Sequence, residues 1–391
     1  MVLKKNYGTL FFLFFWGAVF SQEKQFKRAK ETFENGASVE VKDGFDNKNE
    51  IPEWFVGIGV SKSVDSFNGS NEESVKRSPV DRFVINTLAI NSKYSDYAPS
   101  FFNKELVFAS SRNINHFSTI IDESNNQPFL DLYTTSFIDI SNKNNVLKLK
   151  GNINTKFHES SATFSKDGKT VYFTRNNYSK KKSKKSSNGV VLLKIYRSNY
   201  INGKWEDVEE LPFNSDEYSI AHPALSPDGK FLYFASDMPG SIGKSDLYVV
   251  EINKDGSFGV PKNLGNQINT SGRETFPYVS DKGNLFFASD GHKGFGGLDI
   301  FMAMPNQDGF FGVYNLGKPI NSPKDDFTFI INEETKTGYF ASNRIGGKGD
   351  DDIYGFKQIV SFPQYNDRLK GTQKLERILE LKPSKDATTS L

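Results

Sequence analysis

The chain has 391 residues, and its 49 Lys and Arg nearly balance its 47 Asp and Glu, giving a formal net charge of +2. A nearly neutral chain has no long-range field that draws in nucleic acid or an anionic membrane, so neither is expected as a partner. The sequence has no cysteine, which excludes disulfides as a source of stability. The 36 Phe, 16 Tyr and 32 Gly are typical of aromatic strands joined by turns, and they favour an all-β body.

Residues 1–21 have the layout of a secretory signal peptide. Lys4 and Lys5 precede an apolar run over residues 8–20, and Ser21 offers a small residue for cleavage. The run is shorter than the roughly 20 residues that a membrane-spanning helix needs, so an uncleaved anchor is the weaker alternative. No cysteine follows that could carry a lipid. We predict export to the periplasm or the periplasmic face of the outer membrane, with no transmembrane segment in the mature chain.

Residues 22–81 are polar and weakly patterned, and they predict an N-terminal extension and linker. A short helix is expected over residues 25–35 and a strand over residues 54–60, followed by a polar linker over residues 62–78. The strand over residues 54–60 is also the basis of an alternative, in which it belongs to a sixth, degenerate repeat of the unit that follows.

Three short phrases recur five times in the same order between residues 82 and 358. The first is an aromatic strand whose shared phenylalanine is Phe108, Phe173, Phe234, Phe287 and Phe340. The second is a polar residue before an aliphatic–aromatic pair, and it begins at Asp131, Lys194, Asp246, Asp299 and Asp352. The third ends on an asparagine, at Asn91, Asn154, Asn214, Asn269 and Asn321. The last two intervals of the first two phrases are all 53 residues, so the chain contains five copies of one unit.

Each unit predicts a blade of four short antiparallel strands. In the third unit the inner strand runs into the Ser-Pro-Asp-Gly turn at residues 226–229, and an aromatic strand follows. We expect an Asp-Gly hairpin turn with positive φ at both central positions. Four-stranded units of this length indicate a β-propeller rather than a helical solenoid.

The ends of the repeat predict how the ring closes. The last unit has no fourth-strand phrase after residue 356, whereas residues 82–88 form an orphan fourth strand before the first unit. Pairing the two completes a five-bladed propeller over residues 82–358 and removes two exposed sheet edges. Residues 359–391 are then a C-terminal tail with a short helical pattern over residues 369–381. The basic run at residues 180–185 predicts a solvated loop insert in the second blade, with an anion-binding patch as the alternative.

Acidic residues begin four of the five inner strands. They are Asp96, Glu159, Glu274 and Asp326, while Ile220 takes the place in the third blade. We expect them to form a ring at one mouth of the central channel. Converging carboxylates are what a glycosidase needs, but a role that repeats in every blade is more typical of acids that accept hydrogen bonds from turn amides.

A second recurrent acid, at Asp131, Asp246, Asp299 and Asp352, is predicted to hold the preceding loop backbone. The glycine-rich loops before these acids lack the ligand spacing of a calcium site, and Met238 stands where a P-loop needs its first glycine. The four histidines, His116, His158, His222 and His292, fall in four different units without metal-type spacing. The sequence therefore predicts no metal and no cofactor.

Three phrases support a family resemblance. They are NSKYSDYAP at residues 91–99, QPFLDLY at residues 127–133 and SPDGK at residues 226–230. They are similar to the propeller of OmpA-family envelope proteins of Bacteroidota, a propeller of the WD-repeat-like group also seen in TolB. The resemblance covers about residues 82–358. It does not extend to the helical repeats or the C-terminal OmpA domain of those proteins, so peptidoglycan contact is not carried over.

The resemblance implies a location in the cell envelope, since such relatives are associated with outer-membrane assemblies that include the type IX secretion and gliding machinery. Our leading hypothesis is a non-enzymatic binding or scaffold protein that docks an envelope protein, outer-membrane or periplasmic, on one face of the propeller. The alternative is a carbohydrate-active enzyme that uses the acidic ring. A truncated gene product with no role of its own is a third hypothesis.

Overall fold

A computed structural model describes residues 82–112, 121–122, 125–138, 140–142, 145–179, 182–306 and 309–362. The predicted signal peptide, the extension over residues 22–81 with its alternative sixth repeat, and the tail beyond residue 362 lie outside these residues. Within them the protein is an all-β propeller of five four-stranded antiparallel sheets, which confirms the predicted fold class. No helix in the described part of the chain is long and apolar enough to cross a bilayer.

The strands follow chain order within each blade. Blade 1 contains β2 (Asp96–Phe102), β3 (Glu105–Ser110), β6 (Asp131–Ser136) and β7 (Leu147–Lys148). Blade 2 contains β8 (Glu159–Phe164), β9 (Thr170–Asn176), β12 (Leu193–Ile201) and β13 (Lys204–Glu210). Blade 3 contains β14 (Ile220–Leu225), β15 (Phe231–Ser236), β16 (Asp246–Glu251) and β17 (Lys262–Asn263). Blade 4 contains β18 (Glu274–Val279), β19 (Leu285–Ser289), β20 (Asp299–Asn306) and β21 (Gly309–Asn315).

Blade 5 contains β22 (Asp326–Asn332), β23 (Thr337–Ser342), β24 (Asp352–Gln358) and, as its outer strand, β1 (Phe83–Thr87). Two small ribbons lie outside the blades: β4 (Ile121–Asp122) with β5 (Gln127–Pro128), and β10 (Tyr178–Ser179) with β11 (Lys182–Ser183). The second ribbon lies in the basic insert of blade 2.

The ring closes as the repeat predicted. The strand β1 is antiparallel to β24, with Phe83 opposite Gln358 and Thr87 opposite Tyr354. The side chain of Phe83 is buried and packs edge-on against Phe356 at 5.4 Å. The inner strands β2, β8, β14, β18 and β22 contact one another in a closed cycle, so the ring contains five blades. The first and last blades are also joined through the chain, because β1 completes the sheet of blade 5 and leads directly into blade 1.

The asparagine of the third phrase clamps the third strand near its first residue in every blade. In blade 5, Asn91 accepts a hydrogen bond from the N–H of Ile353 at 3.0 Å and donates one to its carbonyl at 2.9 Å. The same two-way contact is made by Asn154 on Leu132, Asn214 on Ile195, Asn269 on Leu247 and Asn321 on Ile300. An amide side chain carries a donor and an acceptor side by side, so it satisfies both backbone groups of one residue. Asn91 therefore adds a second link to the closure of the ring.

The Ser-x-Asp-Gly turn differs from the predicted hairpin turn. Gly229 has a φ of 70°, but Asp228 is not among the residues with positive φ. The N–H of Gly229 donates to the carbonyl of Ser226 at 2.9 Å, and the N–H of Ser226 donates to the carbonyl of Phe231 at 2.9 Å. The expectation of two positive φ angles was wrong because the connection is the longer loop over residues 226–230 rather than a two-residue hairpin turn, and only Gly229 in it has a positive φ.

Two faces follow from the strand directions. The loops from the second to the third strand of each blade, and from the outer strand to the next inner strand, lie on one face, which we call the loop face. The Ser-x-Asp-Gly turns and the turns from the third to the fourth strand lie on the other, which we call the turn face. All four acids that begin inner strands are therefore at the loop-face end.

Glycines in the loops of blades 3, 4 and 5 allow close contact with the next blade. Gly243, Gly296 and Gly349 stand three residues before the acid of the third strand, at the 53-residue interval. A Cβ at these positions would overlap backbone carbonyl oxygens of the following loop, those of Thr270, Lys324 and Tyr94. These loops are thus packed against their neighbours.

Replacing Gly296 with Ala should lower the free energy of unfolding by about 2 kcal/mol or more, because the new methyl group meets rigid backbone rather than a movable side chain. Chemical denaturation would measure the change. Gly259→Ala is the matched control, since its nearest neighbour would lie at 3.5 Å and its φ is not positive. Equal losses in the two variants would contradict the close-packing argument.

Candidate functional site

Three of the four acids that begin inner strands form buried pairs with arginine. Asp96 contacts Arg112 at 2.5 Å, Glu159 contacts Arg175 at 2.8 Å, and Asp326 contacts Arg344 at 2.6 Å. The acids themselves are 0 % exposed. Each arginine also lies over the phenylalanine of the first phrase, as Arg344 does over Phe340 at 4.9 Å, and donates to an isoleucine carbonyl of the preceding loop. The pairs tie the inner strand to the loop before it.

Each acid also accepts a hydrogen bond from a backbone N–H four residues earlier. Ser92 donates to Asp96, Thr155 to Glu159, Thr270 to Glu274 and Ser322 to Asp326, at 2.5–3.0 Å. Acids that accept hydrogen bonds from loop amides in four of the five blades have the structural role predicted as the alternative to catalysis. Burial raises the pKa of Asp326, while the charge of Arg344 opposes that rise.

Blades 3 and 4 depart from the pattern in different ways. Blade 3 has Ile220 in place of the acid and Met238 in place of the arginine, and both belong to one apolar cluster. Blade 4 keeps Glu274, which accepts hydrogen bonds from Thr270 and Ser289. His292 takes the arginine's position there, because it contacts Phe287 and Phe301 and its Nε2 lies 2.8 Å from the carbonyl of Ile268.

The second set of acids lies where the third strands begin. The loop amides of Ile242 and Gly243 donate to Asp246, those of Phe295 and Gly296 to Asp299, and those of Lys348 and Gly349 to Asp352. Asp131 instead pairs with the side chain of Lys148. Lys194, which stands at this place in blade 2, contacts Glu210 at 2.5 Å and Asp216 at 2.8 Å.

The third residue of every inner strand has a positive φ although none is glycine. These residues are Ala98, Ser161, His222, Phe276 and Thr328, with φ from 40° to 58°. At each one the pairing with the second strand shifts register, so each inner strand contains a β-bulge. A left-handed backbone is costly for non-glycine residues, and five such residues in one ring indicate a feature that the fold maintains. The sequence carries no signal for it, because nothing distinguishes these residue types.

An aromatic plug fills the channel at the level of these bulges. Phe276 packs against Phe327 at 5.2 Å and against Tyr97 at 6.3 Å, and Tyr97 lies 5.9 Å from Phe327. The ring of His222 lies 3.8 Å from that of Phe276, and its Nδ1 is 2.8 Å from the hydroxyl of Ser161. Burial lowers the pKa of His222 to about 3, so the imidazole is neutral at ordinary pH.

Beyond the plug the channel forms a cavity of about 400 Å³, which we call the socket. It is lined by the third and later residues of all five inner strands and by the turns that follow them, so it opens on the turn face. Its wall carries proline, alanine and phenylalanine together with hydroxyl groups such as those of Ser100 and Ser161. The charged side chains in its lining are Lys166 and Asp281, both exposed and in the turns.

One hydroxyl group in the socket is unsatisfied. Thr328 lines it and is 7 % exposed, yet its Oγ1 has no hydrogen-bond partner among the described residues. That oxygen is itself buried, so a ligand in the socket does not reach it unless the wall shifts. The size of the socket and its mostly uncharged wall are those of a binding site.

The predicted ring of acids does not reach this site. Asp96, Glu159, Glu274 and Asp326 begin the inner strands, as the repeat indicated, but none of them lines the socket. They lie at the other end of the strands and are fully buried. Of the histidines, His158 contacts Asp122, His222 lines the socket, and His116 lies outside the described residues. Among the described residues no three His, Asp or Glu side chains are grouped as a metal site would require.

The fold and the socket define the class of protein: a five-bladed β-propeller with a blind central cavity. No family model matches the chain, and no curated protein matches it. Among solved structures, it is similar to a TolB structure from Agrobacterium tumefaciens (16 % identity, 69 % of this chain and 85 % of that one, TM-score 0.40). It is similar to an α-L-arabinofuranosidase from Lactobacillus brevis (13 % identity, 68 % and 92 % coverage, TM-score 0.43). It is also similar to a puromycin-hydrolysing peptidase from Mycobacterium tuberculosis (12 % identity, 65 % and 35 % coverage, TM-score 0.37).

Proposed function

We propose that this chain is an exported, non-enzymatic binding protein of the cell envelope, which holds a segment of a protein partner in the socket on the turn face. The observation that carries the proposal is the socket itself, a cavity of about 400 Å³ enclosed by all five inner strands and lined mostly by uncharged residues. The location in the envelope is supported by the signal-peptide pattern of residues 1–21.

The rigidity of the ring favours binding. Five asparagine clamps hold the third strands, and the buried acid–arginine pairs hold three inner strands to the loops before them, so the ring is rigid before any partner arrives. A preformed cavity avoids the entropy cost of ordering a flexible site, so a short segment is enough for specific recognition. The uncharged wall favours an uncharged stretch of polypeptide, since burying a charge without a counter-ion is costly.

The geometry does not support the carbohydrate-active alternative. A glycosidase needs two carboxylates on either side of one cavity. The four acids of the predicted ring are 0 % exposed, three of them pair with arginine, and none lines the socket. They would have to leave their partners to reach a sugar.

The experiment has two steps: capture of partners from an envelope extract, then calorimetry with the purified partner. Ser100→Trp, which fills the socket, should weaken binding about tenfold or more through steric exclusion. Lys254→Trp, on an exposed turn outside the socket, should leave the affinity unchanged.

Full affinity in the Ser100→Trp variant, with its fold intact by circular dichroism, would reject the socket as the binding site. Hydrolysis of envelope glycans by the purified wild-type chain would reject the non-enzymatic part of the proposal.

A further inference from the structure

The exposed charges of the two faces differ. The described loops of the loop face carry ten exposed lysines and only three exposed acids, Glu217, Asp237 and Asp350. The lysines are Lys93, Lys150, Lys156, Lys184, Lys185, Lys244, Lys293, Lys318, Lys324 and Lys348. The described turns of the turn face carry seven exposed lysines against five exposed acids. The near-zero net charge of the chain therefore conceals a local excess of positive charge on one face.

Many negative charges of the loop face are buried and already have partners. The acids that begin the inner and third strands accept hydrogen bonds from loop amides, lysine or arginine, as described above. They are at most 8 % exposed. Three of the inner-strand acids are neutralised by arginine and Asp131 by Lys148, so an approaching anion meets chiefly the exposed lysines.

Three large apolar side chains project from the same face in consecutive blades. Ile242 is 48 % exposed, Phe295 46 % and Ile345 90 %, and each lies in the loop between the second and third strands of its blade. The loops themselves are held firmly. Asp246, Asp299 and Asp352 bind their amides, and Gly243, Gly296 and Gly349 pack against the next blade. The apolar tips are thus presented on fixed supports rather than on mobile loops.

Lysines surround these tips. Lys244 and Lys293 are in the same loops as Ile242 and Phe295, and the ammonium of Lys318 lies 5.8 Å from the centre of the Phe295 ring. Lys348 follows Ile345 by three residues. Binding at an anionic membrane surface needs two elements. Apolar side chains enter the acyl layer, and lysines around them contact the lipid phosphates.

We propose that the loop face is a docking surface for an anionic lipid bilayer, with Ile242, Phe295 and Ile345 inserted and the surrounding lysines on lipid phosphates. The excess of exposed lysines on the loop face favours an anionic partner. The separate apolar tips, spread over three blades rather than joined in one patch, favour a fluid bilayer over the packed core of a protein interface. This orientation directs the socket, on the opposite face, away from the membrane and towards a partner.

The test is co-sedimentation of the purified chain with vesicles of phosphatidylcholine containing about one third phosphatidylglycerol, against vesicles of phosphatidylcholine alone. We expect binding to the anionic vesicles only, and its loss in high salt. The triple variant Ile242→Ser, Phe295→Ser, Ile345→Ser and the triple reversal Lys244→Glu, Lys293→Glu, Lys324→Glu should each weaken binding about tenfold or more.

Turn-face variants provide the matched controls. Ile138→Ser with Val260→Ser changes apolar residues that are 92 % and 78 % exposed, and Lys169→Glu, Lys230→Glu, Lys336→Glu reverses three exposed lysines that do not line the socket. Both should bind as the wild type does. Failure of the wild type to bind anionic vesicles, or equal losses in the turn-face variants, would overturn the proposal. A loss with the lysine reversal but not with the apolar variant would also overturn it, because it would indicate a soluble polyanion or an acidic protein.

Discussion

Replacing Arg344 with Met should lower the free energy of unfolding by about 3–5 kcal/mol, because it leaves the carboxylate of Asp326 buried without its cation. Asp326 is 0 % exposed and lies 2.6 Å from the guanidinium. The same substitution also removes donors to the carbonyls of Pro319 and Ile320. Methionine keeps part of the contact with Phe340 and Tyr354, so the loss is chiefly electrostatic.

The double variant Asp326→Ile, Arg344→Met should recover most of that stability. Blade 3 already carries this pair, with Ile220 and Met238 at the corresponding positions of an apolar cluster. Exchanging a buried ion pair for apolar residues of similar size is often neutral or stabilising. Urea denaturation of the wild type, the single variant and the double variant would measure the cycle.

Lys230→Met is the surface control for this cycle. Lys230 lies 3.8 Å from Asp228 and is exposed, so its loss should change stability by less than about 1 kcal/mol. A double variant as unstable as the Arg344→Met single variant would show that blade 3 tolerates its apolar pair for reasons particular to that blade.

The closed ring could be predicted from the sequence because the local strand patterns and the repeat along the chain indicate the same arrangement. The 53-residue interval, the aromatic strand that ends near Phe340 and the orphan strand near Phe83 each required the same arrangement, and the structure confirms it. The same reasoning could have predicted the arginine partners of the inner-strand acids. Arg112 and Arg344 each stand two residues after the serine that ends the second strand, while Met238 replaces arginine where Ile220 replaces the acid.

The socket could not be predicted in the same way. It depends on a bulge at the third residue of each inner strand, and Ala98, His222 and Thr328 share no property that requires a positive φ. It depends also on the plug, in which Tyr97, Phe276 and Phe327 come from three different blades. Aromatic residues are frequent in this chain, so no local pattern marks the three that meet on the axis.

Replacing Asp351 with Asn should stabilise the protein at neutral pH and remove a pH dependence of its stability. Asp351 is 6 % exposed, and burial raises its pKa from 3.8 to about 7, with the charges of Asp325, Asp350 and Asp352 acting in the same direction. The nearby Ser95 offsets the rise only in part. The folded chain therefore binds a proton at this carboxyl more tightly than the unfolded chain does.

The sign follows from linkage. A carboxyl whose folded pKa is raised contributes stability that is fully present below the unfolded pKa and is lost as the pH rises through the folded pKa. For Asp351 the window is from about pH 4 to about pH 7. The shift corresponds to about 4 kcal/mol at full extent. Asparagine resembles the protonated acid, so the variant should match the wild type near pH 4 and exceed its stability by about that amount near pH 8.

Denaturation curves of both proteins between pH 4 and 8 would measure the difference. Asp281→Asn serves as the control, since Asp281 is exposed on the turn face and its substitution should change stability little at any of these pH values. Parallel stability curves for Asp351→Asn and the wild type across the whole range would mean that the carboxyl does not titrate within it. Burial and the three neighbouring aspartates would then fail to raise the pKa of Asp351, which would mean that another interaction keeps this carboxyl ionised in the folded chain.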